Sequence, residues 1–281
     1  MKNEHLQHLL QLGFASFCIS TSSVLGRYID MPSPVTIWWR SALALIALYI
    51  FCRIQKIDLR LPKRKDLGSF LIGGIFLGAH WVTYFYALKM SNVAIGVLSL
   101  YTFPVITALL EPLFIKTKFN PIHLILGIMV LIGIYILVPE FDFENSYVQG
   151  ALLGVCSAIL YAIRSLLLKR HIANYNSTML MWYQLLIISI FMAPVLITMD
   201  TSSIGSQFPY VLILALITTA LGHTLFVKSL RYFSVSTASI ISSLQPLYGI
   251  SMAFFFLNEI PTWNILYGGL LIISTVVIES I

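Results

Sequence analysis

The candidates for function among the ionisable side chains within long apolar runs of this chain are Arg40, His80, Glu111, Arg164 and His223. An ionised group at the middle of a membrane-spanning helix costs about 2.5–3.5 kcal/mol on insertion scales, so such groups turn inward and are functional candidates by default. Arg164 offers a guanidinium to a carboxylate or phosphate; the alternative is snorkelling to the head groups beside Lys169. Glu111 lies seven residues past Pro104, two turns on along the same face. It could titrate, or it could pair with a basic group such as Arg40 or Lys116. Arg40 follows Trp38 and Trp39. It is a candidate for coupling or gating, or an anchor in an aromatic belt. His80 and His223 could each move a proton near neutral pH, or simply make an interhelical hydrogen bond.

Aromatic and amide groups supply the other half of a site. Trp81, Tyr84, Tyr101, Tyr161, Trp182 and Tyr183 all fall within apolar runs. Tyr and Trp present an apolar wall with one polar handle, which suits a small amphipathic solute; ordinary packing is the alternative for each. Tyr101 and Gln245 are the preferred pair, because each lies within one turn of a proline. Pro104 and Pro246 sit near the centres of their runs, and a proline deprives the carbonyl four residues back of its helical partner. Leu100 and Ser242 therefore each carry a carbonyl that protein, water or ligand must satisfy. The site residues expected from sequence are Tyr101, Gln245, Arg164, Tyr161, Trp81 and Trp182 for substrate, with Glu111, His80, His223 and Arg40 for coupling or gating.

The elements that must position these groups are ten apolar runs, roughly 9–29, 34–52, 67–88, 92–115, 121–138, 148–168, 178–198, 209–230, 234–257 and 263–280. A spanning helix needs about 20 mostly apolar residues. Residues are 58% hydrophobic and only 10% charged, whereas soluble domains carry about 25% charged residues. The expectation is an all-α integral membrane protein with ten transmembrane helices. The net charge of +6 reflects loop residues that set orientation and is no nucleic-acid footprint. Cys18, Cys52 and Cys156 have no paired spacing and read as small buried hydrophobes. The first run reads as a retained span and not a signal peptide.

The segment Leu88 to Gly127 recurs without a gap as Leu230 to Gly269, at an offset of 142. Pro104 meets Pro246, Lys89 meets Arg231, and Arg27 meets Lys169. The chain thus divides into residues 1–140 and 148–281, five spans each. Five is odd, so the second copy enters the membrane from the other side, as in the inverted repeats of many secondary transporters. The loop from Arg53 to Asp66 holds six basic residues, which places it and both termini in the cytoplasm. Lys116 and Lys118, and Lys169 with Arg170, fall on that same side, while Glu140, Asp142, Glu144 and Asp200 fall opposite.

Taken together, these features resemble the drug/metabolite transporter superfamily, in particular its EamA-domain branch. The resemblance rests on two proline-centred spans, Ser99-Leu100-Tyr101-Thr102-Phe103-Pro104-Val105 and Ser242-Ser243-Leu244-Gln245-Pro246-Leu247. Leu257-Asn258-Glu259, Trp39-Arg40-Ser41 and Gly268-Gly269 add to it. It departs in the first copy, where Thr117 stands at the place of Glu259. The resemblance implies a multi-pass protein of a bacterial inner (plasma) membrane, moving metabolites, amino acids or related compounds, often outward, by alternating access. The expected partners are a small-molecule substrate and the lipid bilayer, with no nucleic acid and no cofactor, in a monomer or homodimer. The alternatives are a permease or structural subunit of a larger complex and, least favoured, an intramembrane enzyme. Paired aspartates within spans, metal-ligand spacing and a nucleotide-binding Gly-x-x-x-x-Gly-Lys loop are all missing from the sequence.

Overall fold

The computed structural model describes residues 2–60, 63–114, 120–138, 140, 142–233, 238 and 241–279. Those residues form helices and connecting turns: α1 Lys2–Tyr28, α2 Ser33–Ile54, α3 Leu67–Met90, α4 Val93–Leu100, α5 Phe103–Phe114, α6 Ile122–Leu137, α7 Ser146–His171, α8 Ser177–Phe191, α9 Val195–Thr198, α10 Ile204–Ile213, α11 Thr224–Ser229, α12 Leu244–Leu257 and α13 Trp263–Glu279. A π-helical stretch, Leu214–His223, joins α10 to α11. Seven helical segments are long and apolar enough to cross a membrane, and Ile122–Leu137, Leu244–Leu257 and Trp263–Ile278 are shorter apolar helices. Lys116, Thr117, Lys118 and Ser234 lie outside the described residues.

Burial runs opposite to that of a water-soluble protein. Leu124, Ile125, Ile128, Leu131, Phe255, Phe256 and Leu270 are exposed, while Ser16, Ser23, Thr102, Ser157, Thr219, Arg40 and Arg164 are buried. In hydrocarbon the apolar groups can face outward at no cost, and the polar groups must find one another inside. The sequence reading of the cysteines needs one correction. Cys18 and Cys52 are buried, but Cys156 is exposed, because it falls on the outer face of α7.

Local signals set the ends of the elements. Asn92, Asn145 and Asn176 cap α4, α7 and α8, each side chain accepting from a backbone N–H at 2.8 Å, which satisfies one of the unpaired donors of a helix start. Asn258 ends α12 in the left-handed conformation, φ 55, as helix C-termini commonly do. The turn brings Glu259 back over the helix end, its N–H donating to the Ala253 carbonyl at 3.2 Å.

The helices α3 and α7 lie antiparallel. Asp66, preceding α3, is 4.0 Å from His171 at the end of α7. At the other end a Cβ on Gly150 would fall 2.7 Å from the Ser91 Cβ. Tyr175 donates to Asp66 at 2.7 Å and accepts from the Lys63 N–H at 3.1 Å. Burial, and then the Asp66 carboxylate, push the Tyr175 hydroxyl above the ordinary tyrosine range, so it stays a donor. Arg231 donates to the Tyr175 carbonyl at 2.7 Å. The bundle therefore has a basic end, holding residues 55–60, 63–66, 171–176 and 230–233. The opposite end holds Asp30, Glu259 and the start of α7.

Two core clusters fill the bundle. The larger involves α1, α2, α3, α7, α8 and the π-helical region. The smaller joins α4 and α5 to α6 and α13 through Leu98, Val105, Val130, Ile134 and Ile272. Small residues set the spacing, as is usual between membrane helices. A Cβ on Gly154 would meet Ser99 Cβ at 2.5 Å, and one on Gly268 would meet the Gly133 carbonyl at 2.7 Å.

Candidate functional site

The fourth apolar run is not one continuous helix. It breaks at Tyr101 and Thr102, between α4 and α5, immediately before Pro104. The equivalent run breaks at Ser243, immediately before α12 and Pro246. The Ser242 carbonyl, which Pro246 leaves without a helical partner, accepts from the Tyr101 hydroxyl at 2.6 Å. Ser16 on α1 donates to the Ser242 hydroxyl at 3.2 Å. The break in one copy is thus closed by a side chain from the break in the other.

A small cavity of about 30 Å³, room for a water molecule or two, surrounds this contact. Its wall comprises Ile19, Ser20, Ser22 and Ser23 from α1, and His80, Trp81 and Tyr84 from α3. Val97, Leu100, Tyr101 and Phe103 come from the α4–α5 break, with Tyr161 from α7. The last wall residues are His223, Phe226, Ser242 and Gln245. Ten of these sixteen form pairs at the offset of 142: Ile19 with Tyr161, Trp81 with His223, Tyr84 with Phe226, Leu100 with Ser242, and Phe103 with Gln245.

Six of the site residues expected from sequence meet here: Tyr101, Gln245, Tyr161, Trp81, His80 and His223. The rings of Trp81 and His223 are 5.2 Å apart, edge to face. His80 bonds Ser157 across to α7, Nδ1 to Oγ at 2.6 Å, while Ser157 donates to the His80 carbonyl at 2.8 Å. The His80 ring is also 4.7 Å from that of Tyr161. Phe103 packs edge to face on Tyr161 at 5.0 Å.

The other four lie elsewhere. Trp182 is partly buried against Tyr49 and Tyr183, 6.4 and 5.0 Å between ring centroids; its rotation on α8 turns it away from the cavity. Glu111 is half-buried beyond Pro104, and among the described residues it forms no ion pair with Arg40. Arg40 and Arg164 lie one ring behind the wall. The Arg40 guanidinium stacks 3.9 Å above Trp81 and donates through Nε to Thr219 Oγ1 at 2.5 Å. The Arg164 guanidinium is 5.7 Å from the Tyr161 ring and donates to Gln184 Oε1 at 2.6 Å. Arg40 is 1% exposed and Arg164 0%, so neither anchors to head groups at the surface.

Sequence reading missed two groups. One is the hydroxyl row of α1, where Thr21 bonds Thr218 at 2.7 Å and Ser20, Ser22 and Ser23 reach the cavity. The cluster Ser20-Thr21-Ser22-Ser23 in an apolar run was the available signal. The other is the π-helical stretch, a feature often found at functional sites. There Thr219 accepts from Arg40 and donates five residues back to Leu214 at 2.9 Å; the adjacent Thr218-Thr219 pair was its only sequence mark.

The ends of the bundle are tied by the basic residues matched in the repeat. At the acidic end Arg27 donates to the Lys89 carbonyl at 2.6 Å and pairs with Glu259 at 3.3 Å. Lys89 donates to the Ile29 carbonyl at 2.9 Å and to that of Met31, and Glu259 accepts from the Val93 N–H at 2.8 Å. At the basic end Lys169 donates to the carbonyls of Leu230 and Phe233 at 2.7 and 2.9 Å, and Arg231 to Tyr175. The same matched residues do the same work at opposite ends.

A helical bundle with lipid-facing apolar surfaces and a small central cavity between broken helices is the build of a multi-pass membrane carrier. The EamA-like transporter family model matches the chain twice, over residues 9–138 and 148–280. The chain belongs to that family. It is 22% identical to the pseudopaline exporter CntI of Pseudomonas aeruginosa over 92% of this chain and 90% of that one. An uncharacterized transporter of Archaeoglobus fulgidus is 26% identical, covering 92% and 91%. A crystal structure of a protein 18% identical matches the fold with a TM-score of 0.69, covering 97% of this chain and 96% of that one.

Proposed function

We propose that this protein is a secondary transporter of small organic solutes, working by alternating access around the central cavity. The observation that carries this reading is the composition of the cavity wall, built in offset pairs from residues 1–140 and 148–281 and centred on two proline breaks. Under this reading the two segments are inverted five-helix repeats making ten spans, and the membrane is a bacterial inner membrane with the basic end and both termini in the cytoplasm. The matched tethers of Arg27 and Lys89 at one end, and of Lys169 and Arg231 at the other, support the inversion. Broken helices at mid-depth supply backbone and side-chain polar groups without exposing them to lipid, as transporter sites do. The two halves rock about the cavity, which opens to each side in turn. Outward movement is favoured by the name of one relative, an exporter.

The test is metabolite profiling of the medium around cells expressing the wild type or Tyr101→Ala plus Gln245→Ala, at matched membrane levels. A solute that accumulates outside only with the wild type supports export through this cavity. Depletion from the medium only with the wild type keeps the cavity and reverses the direction. Identical profiles for the two proteins overturn the cavity as the transport site.

A further inference from the structure

We propose that the solute carries an oxyanion, a carboxylate or a phosphate, and that Arg40 and Arg164 form its recognition pair. This rests on the transport reading above. The arginines are the two largest charged side chains fully enclosed in the bundle, and an arginine stays protonated in proteins. Neither has a carboxylate within ion-pair distance among the described residues. The described carboxylates lie in loops or near helix ends, and Glu111, the deepest along a helix, acts on Lys169.

The hydrogen bonding of both guanidiniums is also incomplete. Nη2 of Arg40, and Nε and Nη1 of Arg164, are buried without a partner. A buried charge usually has a partner, and one left without it is costly. The available neighbours, Thr219 for Arg40 and Gln184 for Arg164, are neutral acceptors that cannot cancel the charge. The missing counter-charge is what an anionic solute would bring.

The placement fits a path. Arg40 is seven residues from the start of α2 at the acidic end, and Arg164 seven from the end of α7 at the basic end. At 1.5 Å per residue each lies about 10 Å inside its own end. Each touches a wall ring of the cavity, Trp81 or Tyr161. Two positive charges behind the cavity wall focus a field on the space between them and exclude cations from it. A rotation of the Trp81 or Tyr161 ring exposes one guanidinium towards one side of the cavity, so the anion meets one arginine on entry and the other on leaving.

The test uses purified protein in liposomes loaded with a cell metabolite extract split by ion exchange into anionic, neutral and cationic fractions. Mass spectrometry follows release from each against protein-free vesicles. Wild type should release compounds from the anionic fraction alone, and their identity separates carboxylates from phosphates. Arg40→Met and Arg164→Met should each slow that release at least tenfold, while Arg40→Lys and Arg164→Lys, which keep the charge, retain a measurable part. Release confined to the neutral or cationic fraction leaves transport standing and overturns the anion inference. Anion release untouched in both methionine variants overturns the assignment to these arginines. No release from any fraction overturns the transport reading and this inference with it.

Discussion

The hydroxyl of Tyr101 donates to the carbonyl of Ser242, and so one proline break is repaired by a residue from the other. The bond spans the centre of the molecule at 2.6 Å. Tyr101→Phe keeps the ring but strands a buried acceptor, which costs about 1–3 kcal/mol. The melting temperature of the purified protein in detergent should fall accordingly. An unchanged melting temperature would mean the carbonyl finds another donor.

The Arg27–Glu259 pair is part-exposed, with side chains 35% and 23% accessible. Such pairs are worth about 0–1 kcal/mol. Glu259 also caps Val93, and that contact does not need the charge. Glu259→Gln should therefore lower the melting temperature little, and Glu259→Ala clearly more. Equal losses in the two variants would assign the stabilisation to charge alone.

Close packing of α7 on α4 depends on Gly154. An added methyl there must displace Ser99, and overpacking costs about 1–3 kcal/mol. Gly205, on α10, faces open space with nothing within 4 Å, where Gly→Ala can add about 0.4–1 kcal/mol. Thermal unfolding of Gly154→Ala and Gly205→Ala should shift in opposite directions. A loss at both positions would contradict the packing described.

Holding a buried charge without a counter-ion is costly, and an apolar side chain of similar length removes that cost. Arg164→Met should thus melt no lower than the wild type, whatever happens to its activity. A clear loss of stability would show that the bond to Gln184 outweighs the buried charge.

Of the three cysteines, Cys156 alone should react with a small neutral maleimide in mild detergent, because Cys18 and Cys52 are 2% and 0% exposed. Intact-mass analysis should find one adduct per chain. Three rapid adducts would mean that the interior opens readily.

The helices, the matched prolines and the cavity residues Tyr101, Gln245, Trp81, Tyr161, His80 and His223 were legible in the sequence. Apolar run length and proline chemistry act locally, so sequence records them. The rotation of a helix does not act locally. Trp182 turns to Tyr49 instead of inward because neighbouring spans decide its facing. Glu111 was legible as an acid within a span, but its half-buried place away from Arg40 was not. The break after Phe191 falls at Met192 to Pro194, where a proline without an N–H marks it, but the π-helical widening around Thr219 has no such marker. A periodicity of 3.6 cannot register that widening.

The paired wall of the cavity is matched in position but not in chemistry. In three of the five pairs the first segment gives an apolar or aromatic face, Trp81, Leu100 and Phe103, where the second gives a hydrogen-bonding one, His223, Ser242 and Gln245. Ile19 opposite Tyr161 follows the same sense, and only Tyr84 opposite Phe226 reverses it. The unpaired wall residues Ser20, Ser22, Ser23, His80 and Tyr101 add polar groups from the first segment that the second does not match. On the transport reading proposed above, a guest would meet different groups from the two segments, and the two halves of the cycle would differ in energy.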